Sequence, residues 1–318
     1  MAFSDHQGEF VKNAPLQAAT SSIPAGSAQA RNRWRAFLLA LAILLLAFCV
    51  PLFQLARFAA ASQLYSYVLL VPFISAWLVW IKRATLPLSA RPMRFAGAIF
   101  LALGIAVMAA WLLAGHPGGR MARENGLTLQ TLSFVLDVFA LVFLFWGKDT
   151  VRAVRFPLFF LLFMVPLPPS LVLATDSFLQ YGSAQVARLF FGLSGMAFLQ
   201  DGLTFQLPDI SLHIAPECSG IHSTIVLFIT SLLAAYLLLR TTWKRALFVL
   251  FVIPLGLIRN GFRVFVIGEL CVHIGPQMIN SPIHRKGGPI FFVLSLIPLF
   301  LLLIALQKSE RARSGTKK

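Results

Sequence analysis

An all-α polytopic membrane fold of about eight spanning helices follows from three properties of the chain. Of its 318 residues, 58% are hydrophobic and only 12% are charged, whereas a soluble domain is about a quarter charged. The apolar residues come in long blocks rather than in amphipathic alternation, and the mean hydropathy is +0.81. Those blocks are about 20 residues long, the length that crosses a bilayer as helix, and basic residues punctuate them. A soluble globular enzyme is excluded.

The first block, residues 36–56, lies between Arg35 and Arg57, and residues 58–81 form the second. Residues 95–115 make a third, and 127–146 a fourth that is interrupted by Asp137. A fifth, 156–175, is kinked or shortened by Pro166, Pro168 and Pro169. Residues 219–239 are the sixth, 246–267 the seventh, which carries Arg259 and Arg263, and 289–306 the eighth. An even number of spans puts both termini on one side.

The net charge of +16, from 27 Lys and Arg against 11 Asp and Glu, would suggest nucleic acid as the partner of a soluble chain. In a membrane protein its first meaning is orientation. With a cytoplasmic N-terminus, 19 of the 27 cations fall in cytoplasmic segments, so the charge orients the chain and no nucleic acid partner is expected. The first 30 residues are rich in Ala, Ser, Gly and Pro and lack a cleavable-signal pattern. Residues 1–34 therefore read as a disordered cytoplasmic tail, 35–307 as the membrane domain and 308–318 as a basic cytoplasmic tail.

One outer segment, residues 176–217, is long for such a bundle. Its first half places Phe178, Val186, Leu189 and Leu193 near one helical face and Asp176, Gln180 and Arg188 elsewhere, which predicts an interfacial amphipathic helix. Its second half alternates. With Pro208 and Asp209 as the turn, Leu207 faces Ile210, Phe205 faces Leu212 and Leu203 faces Ile214, so six apolar side chains share one face of a β-hairpin. His213, Thr204, Gln206 and Ser211 take the polar face. A surface-hugging loop is the plainer alternative.

Reactive residues collect at the same outer rim. Pro216 suits a first helical turn, which places Cys218 at the N-terminus of the sixth span, where the thiolate is favoured over the thiol. A small buried cysteine capping a span would look the same. Arg263 lies about 25 Å along the seventh span at ~1.5 Å per residue, close to the outer face. A charge inside a span is functional by default, although either Arg259 or Arg263 alone could snorkel. Asn260 and Arg259 share that face at helical spacing. His284 precedes the eighth span at the same rim and can move a proton, and His222, four residues after Cys218, competes for that role. Together Cys218, His284 and Arg263 supply a nucleophile, a base and an oxyanion-holding cation.

Those residues carry a family resemblance. The chain resembles the exosortase/archaeosortase family of integral membrane cysteine transpeptidases over roughly residues 36–306. The matching segments are Tyr67-Val-Leu-Leu-Val-Pro-Phe-Ile-Ser, Met164-Val-Pro-Leu-Pro-Pro, Glu217-Cys-Ser-Gly-Ile-His-Ser, Asn260-Gly-Phe-Arg263 and His284-Arg-Lys-Gly-Gly. The resemblance implies Cys218 as nucleophile with Arg263 and His284 completing the site, and Asn260, Glu217, His222 and Arg259 in support. It implies a prokaryotic cytoplasmic (inner) membrane protein whose site faces outward. Its implied partners are membrane lipids, exported proteins bearing a C-terminal sorting signal (a short motif, a hydrophobic helix and a basic cluster) and an acceptor nucleophile that the sequence does not identify. No cofactor and no metal are implied. The chain departs from the commonest pattern at His222, where Arg often follows Cys-Ser-Gly-Ile, and it lacks the extra C-terminal domain of some members.

Rival readings have less behind them. A metalloenzyme using His213, Cys218, His222 and His284 lacks His-Glu-x-x-His and paired Cys-x-x-Cys motifs, and a rhomboid-like serine protease lacks Gly-x-Ser-x-Gly. A transporter or lipid-binding protein would line a path with Asp137, Arg259 and Arg263; the plainer reading of Asp137 is a hydrogen bond within the bundle, for example to Ser133. Three cysteines, Cys49, Cys218 and Cys271, are too few and scattered for a disulfide framework or thiolate cage. Cys271 is expected to stay unpaired, and Cys49 to be inert within the first span.

Overall fold

A computed structural model of the protein describes residues 25–87, 91–115, 119–208, 210–280 and 288–315. Eleven α-helices are described: α1 (Ala25–Ala47), α2 (Cys49–Ala61), α3 (Val71–Lys82), α4 (Arg94–Leu113), α5 (Arg120–Phe145), α6 (Lys148–Leu161), α7 (Pro169–Ser194), α8 (Ile221–Leu238), α9 (Thr242–Leu250), α10 (Val252–His273) and α11 (Gly288–Gly315). Between α7 and α8 lie three short strands, β1 (Leu199–Asp201), β2 (Thr204–Leu207) and β3 (Ile210–His213). Among the described residues six helical segments are long and apolar enough to cross a membrane, and up to eight if each of two bent pairs counts as one span. Leu113, Phe95 and Leu193 are among many large apolar side chains left uncovered on the helices. In water such a surface would aggregate, whereas in a bilayer it is the lipid-facing wall.

Proline explains both bends. The helices Arg31–Ala47 and Cys49–Ala61 meet at 68°; Pro51, in the first turn of α2, has no N–H to continue the ladder and its ring crowds the preceding turn. The segments Lys148–Met164 and Pro169–Ser194 meet at 93°. Pro166 and Pro168 force extended backbone before them, and Pro169 is preorganised to open a new helix. Two hydrogen bonds pin this break: Tyr65 Oη donates to Leu167 O (3.0 Å) and Thr128 Oγ1 to Pro166 O (3.1 Å).

The second bend moves an expected boundary. The fifth span is broken where the prolines are expected to kink or shorten it: helix ends after Met164 and resumes at Pro169. The helix expected from residue 176 starts at Pro169 instead, as soon as the prolines allow. Toward the chain ends, α1 starts at Ala25 and α11 runs to Gly315.

Helix ends carrying the basic segments meet at one end of the bundle. Lys82 Nζ donates to Ala153 O (3.1 Å) and sits 5.1 Å from the Tyr236 ring; Arg245 faces the same ring. Trp34 of α1 packs on Trp146, and Glu310 of α11 accepts from the backbone N–H groups of Arg240 and Thr241. The other end carries the sheet. Its β2–β3 register pairs Phe205 with Leu212 and Leu207 with Ile210, and Ile214 N–H donates to Leu203 O, the pairing that the alternation predicts. Phe205, Leu207, Leu212 and Ile214 are buried. β1, which the sequence did not announce, pairs antiparallel with β2.

The buried face of the sheet rests on α7 and α10. Those two helices run parallel and close: a Cβ on Gly261 would meet Val186 at 2.7 Å and Ser183 O at 2.9 Å, and one on Gly268 would meet Phe191 at 2.6 Å. Small residues at the contact are what let membrane helices approach to this distance. The apolar stripe of α7, with Phe178, Leu189 and Leu193, is left exposed, while its Ser183, Ala184 and Ala187 side is buried.

Candidate functional site

Cys218 ends a 3-10 turn, Pro216–Cys218, that links β3 to α8. The turn is closed by Cys218 N–H donating to Ala215 O (2.8 Å) and Ser219 N–H to Pro216 O (3.1 Å). Gly220 follows with φ +74°, a left-handed conformation natural to glycine, and α8 begins only at Ile221. A side chain at 220 would also meet Arg259 Nη2 and Asn260 Oδ1 at 3.2 Å. The nucleophile candidate therefore stands just before the helix rather than within its first turn, and Pro216 opens the 3-10 turn instead of α8. The same break undoes the four-residue spacing that would have put His222 on the face of Cys218; His222 is exposed.

Two neighbouring residues of α10 hold this turn. Asn260, 2% exposed, donates through Nδ2 to Cys218 O (2.8 Å) and to Ser183 Oγ (3.1 Å). Arg259 donates through Nη2 to Thr224 Oγ1 (3.1 Å) and Gly220 O (3.4 Å). Its Nη1 is buried and has no hydrogen-bond partner among the described residues. Such a nitrogen deep in a spanning helix is a donor held ready for an incoming acceptor.

Cys218 and Arg263, both half-buried, line one crevice between the sheet (Leu212, His213, Ile214) and α10 (Val264, Ile267). Its interior is about 20 Å³, room for one water-sized group. A thiol beside a guanidinium between apolar walls can attack a carbonyl carbon while the cation meets the charge that develops on its oxygen. His213 stands at the rim with Nδ1 hydrogen bonded to Thr204 Oγ1 (3.0 Å).

Of the residues singled out from sequence, Cys218, Arg263, Asn260 and Arg259 come together. His284 lies outside the described residues, and Glu217 is described only as backbone in the 3-10 turn. Asp137 lies apart, in the α4–α5 contact, where a Cβ on Gly104 would meet its Oδ1 at 2.2 Å. Ser133 Oγ donates to Gly104 O rather than to Asp137, whose Oδ1 has no partner among the described residues. Asp137 is thus not joined to Arg259 and Arg263 in a common path. Cys271 is 2% exposed and forms no disulfide; Cys49 is exposed on the bundle surface. Among the described residues, no three His, Cys, Asp or Glu side chains gather as metal ligands.

Sequence reasoning missed Ser183 and Thr224. The only available signal was the cluster of small residues Gly182, Ser183, Ala184 and Ala187 on α7, which marks a close helix contact without naming its partner. A model of the transmembrane exosortase family matches residues 59–301. No curated protein and no solved structure matches the chain.

Proposed function

The chain belongs to the transmembrane exosortase family, an integral membrane family of transpeptidases, and from that premise we propose that Cys218 is the nucleophile of a cysteine transpeptidase acting on exported proteins with a C-terminal sorting signal. The observation that carries the reading is the crevice that Cys218 shares with Arg263. The turn bearing the thiol is held from α10 by Asn260 and Arg259, as a nucleophile needs if it is to attack in one geometry.

The chemistry balances as follows. The Cys218 thiol passes its proton to His284 and attacks the scissile carbonyl carbon. The oxygen that becomes negative is met by Arg263, and the spare Nη1 of Arg259 is a second donor of the right kind. The C–N bond then breaks, His284 returns the proton to the leaving amine, and a thioester remains on Cys218. An acceptor nucleophile attacks the thioester carbon, the C–S bond breaks and the thiol is reformed.

In this reading the sheet end faces outward from the prokaryotic inner membrane and both termini are cytoplasmic, an orientation that the positive-inside distribution of the cations supports. Substrates exported across that membrane would reach Cys218 there. The signal's hydrophobic helix can lie in lipid beside the bundle while its basic cluster stays on the cytoplasmic side.

The test is co-expression with an exported protein bearing such a signal, followed by mass spectrometry of its new C-terminus. Cys218→Ala should abolish processing while the membrane still holds normal amounts of the protein. Full processing by Cys218→Ala would overturn the assignment. An added mass on the product identifies transfer to an acceptor, and a free carboxylate identifies hydrolysis.

A further inference from the structure

A polar link reaches the nucleophile's turn from the far side of α10. Ser183 is fully buried in the middle of α7, a helix that contributes no side chain to the crevice. Its Oγ accepts from Asn260 Nδ2 at 3.1 Å, and the same Nδ2 donates to Cys218 O at 2.8 Å. One amide nitrogen thus ties together α7, α10 and the backbone of the nucleophile, residues 77 and 42 apart in sequence.

The link is held under tight spacing. Gly261, next to Asn260, lets α10 approach so closely that any Cβ there would stand 2.9 Å from Ser183 O and 2.7 Å from Val186. The Asn260 carboxamide, 2% exposed, has no water to turn toward, so its orientation is set by its partners. Without Ser183 Oγ the amide is held by Cys218 O alone, and its broad terminal torsion gains freedom. The bond to Cys218 O that holds the 3-10 turn against α10 then loses its fixed geometry.

We propose that Ser183 is a positioning residue for Cys218: acting through Asn260, it fixes the turn that aims the thiol at Arg263, so that the seating of α7 on α10 sets the reactivity of the nucleophile. The proposal rests on the reading of Cys218 as the reactive thiol, but its consequence is measurable without any substrate. Aiming Sγ at a guanidinium favours the thiolate. A loosened turn lets Sγ drift from that cation, which lowers thiolate content at a given pH and moves the alkylation profile toward higher pH.

The experiment is the rate of alkylation of Cys218 against pH, by mass spectrometry of the labelled peptide, in full-length protein purified in detergent. Ser183→Ala is expected to slow labelling at neutral pH about fivefold, the worth of one hydrogen bond, and to move the profile's midpoint upward. Ser183→Thr, which restores the hydroxyl, should return both toward the parent values. Asn260→Asp, isosteric but without the amide donor, should move the profile in the same direction and further. Ser133→Ala, which removes a buried hydroxyl bonded to Gly104 O elsewhere in the bundle, should leave it unmoved.

An unchanged profile in a folded Ser183→Ala protein overturns the proposal, as does a changed profile that Ser183→Thr fails to restore, since that would mark a packing effect. If Ser183→Ala does not accumulate in the membrane, Ser183→Cys, which keeps the size and weakens the acceptor, decides on the same two criteria of rate and midpoint, read on the Cys218 peptide. Loss of the catalytic assignment would look different: Cys218→Ala would retain processing while the alkylation profile still answered to Ser183.

Discussion

At the basic end of the bundle, buried cations finish on carbonyl groups. Lys244, 1% exposed, donates to Leu306 O near the end of α11. Arg245 donates through Nε to Leu239 O, just past the end of α8, at 2.8 Å, and Lys82 reaches Ala153 O. Leu239 O lies just past the end of α8, where carbonyls lack intrahelical partners, and Ala153 O lacks its usual donor because Pro157 stands four residues on. At the sheet end, Arg259 is nearly as buried but keeps Nη1 without a partner among the described residues, and Arg263 lines the crevice beside Cys218. Burial alone therefore does not mark a functional cation. Arg259 differs from the cations of the basic end in a buried Nη1 that has no hydrogen-bond partner among the described residues.

That contrast predicts a division of effects: cations at the sheet end should govern turnover, and those at the basic end stability. The largest loss is expected for Arg263→Leu, about 10²–10³ in the rate of processing, the range for removing a main oxyanion donor. Arg259→Leu should cost about 10- to 150-fold in the same assay, since a charged donor to the substrate is worth roughly 1.5–3 kcal/mol. Arg259→Lys should recover little, because a single ammonium cannot hold the Gly220–Thr224 pair and an acceptor together. Lys244→Met should do the reverse. It removes the charged donor's bond to Leu306 O, worth roughly 1.5–3 kcal/mol, seen as a lower thermal midpoint in detergent, while the turnover of folded protein stays at the parent value. A fall in turnover for Lys244→Met without loss of stability would break the comparison.

Much of this arrangement was legible in the sequence because membrane physics leaves few options. Length and hydropathy locate the helices, Pro166, Pro168 and Pro169 the bend in the fifth span though not the one at Pro51, and strict alternation the β2–β3 register down to individual pairs. The site was legible as a list of residues at one rim. Its internal geometry was not. β1 is three residues, Leu199–Asp201, with no apolar alternation to announce it. The apolar run after Gly220 also gave no sign that helix would begin only at Ile221. The bond between Ser183 and Asn260 joins residues 77 apart, and no periodicity encodes which helix a buried asparagine will meet. Local patterns report what a segment buries, whereas the partners of polar groups are settled by how whole helices dock.

The smallest expected effect concerns His222, the residue whose role changes most between sequence and structure. Counting along an unbroken helix, it falls four residues after Cys218 and in reach of the thiol. With Gly220 left-handed and α8 starting at Ile221, that relation is lost and the side chain is exposed. The proposed mechanism gives proton transfer to His284. His222→Gln should change processing by less than about twofold, as exposed substitutions generally do, while His284→Gln should reduce it as severely as Arg263→Leu. A loss of tenfold or more for His222→Gln would mean that the turn at 218–220 opens in the working enzyme and returns the histidine to the thiol, and the division drawn between the two ends would then rest on Arg259 and Arg263 alone.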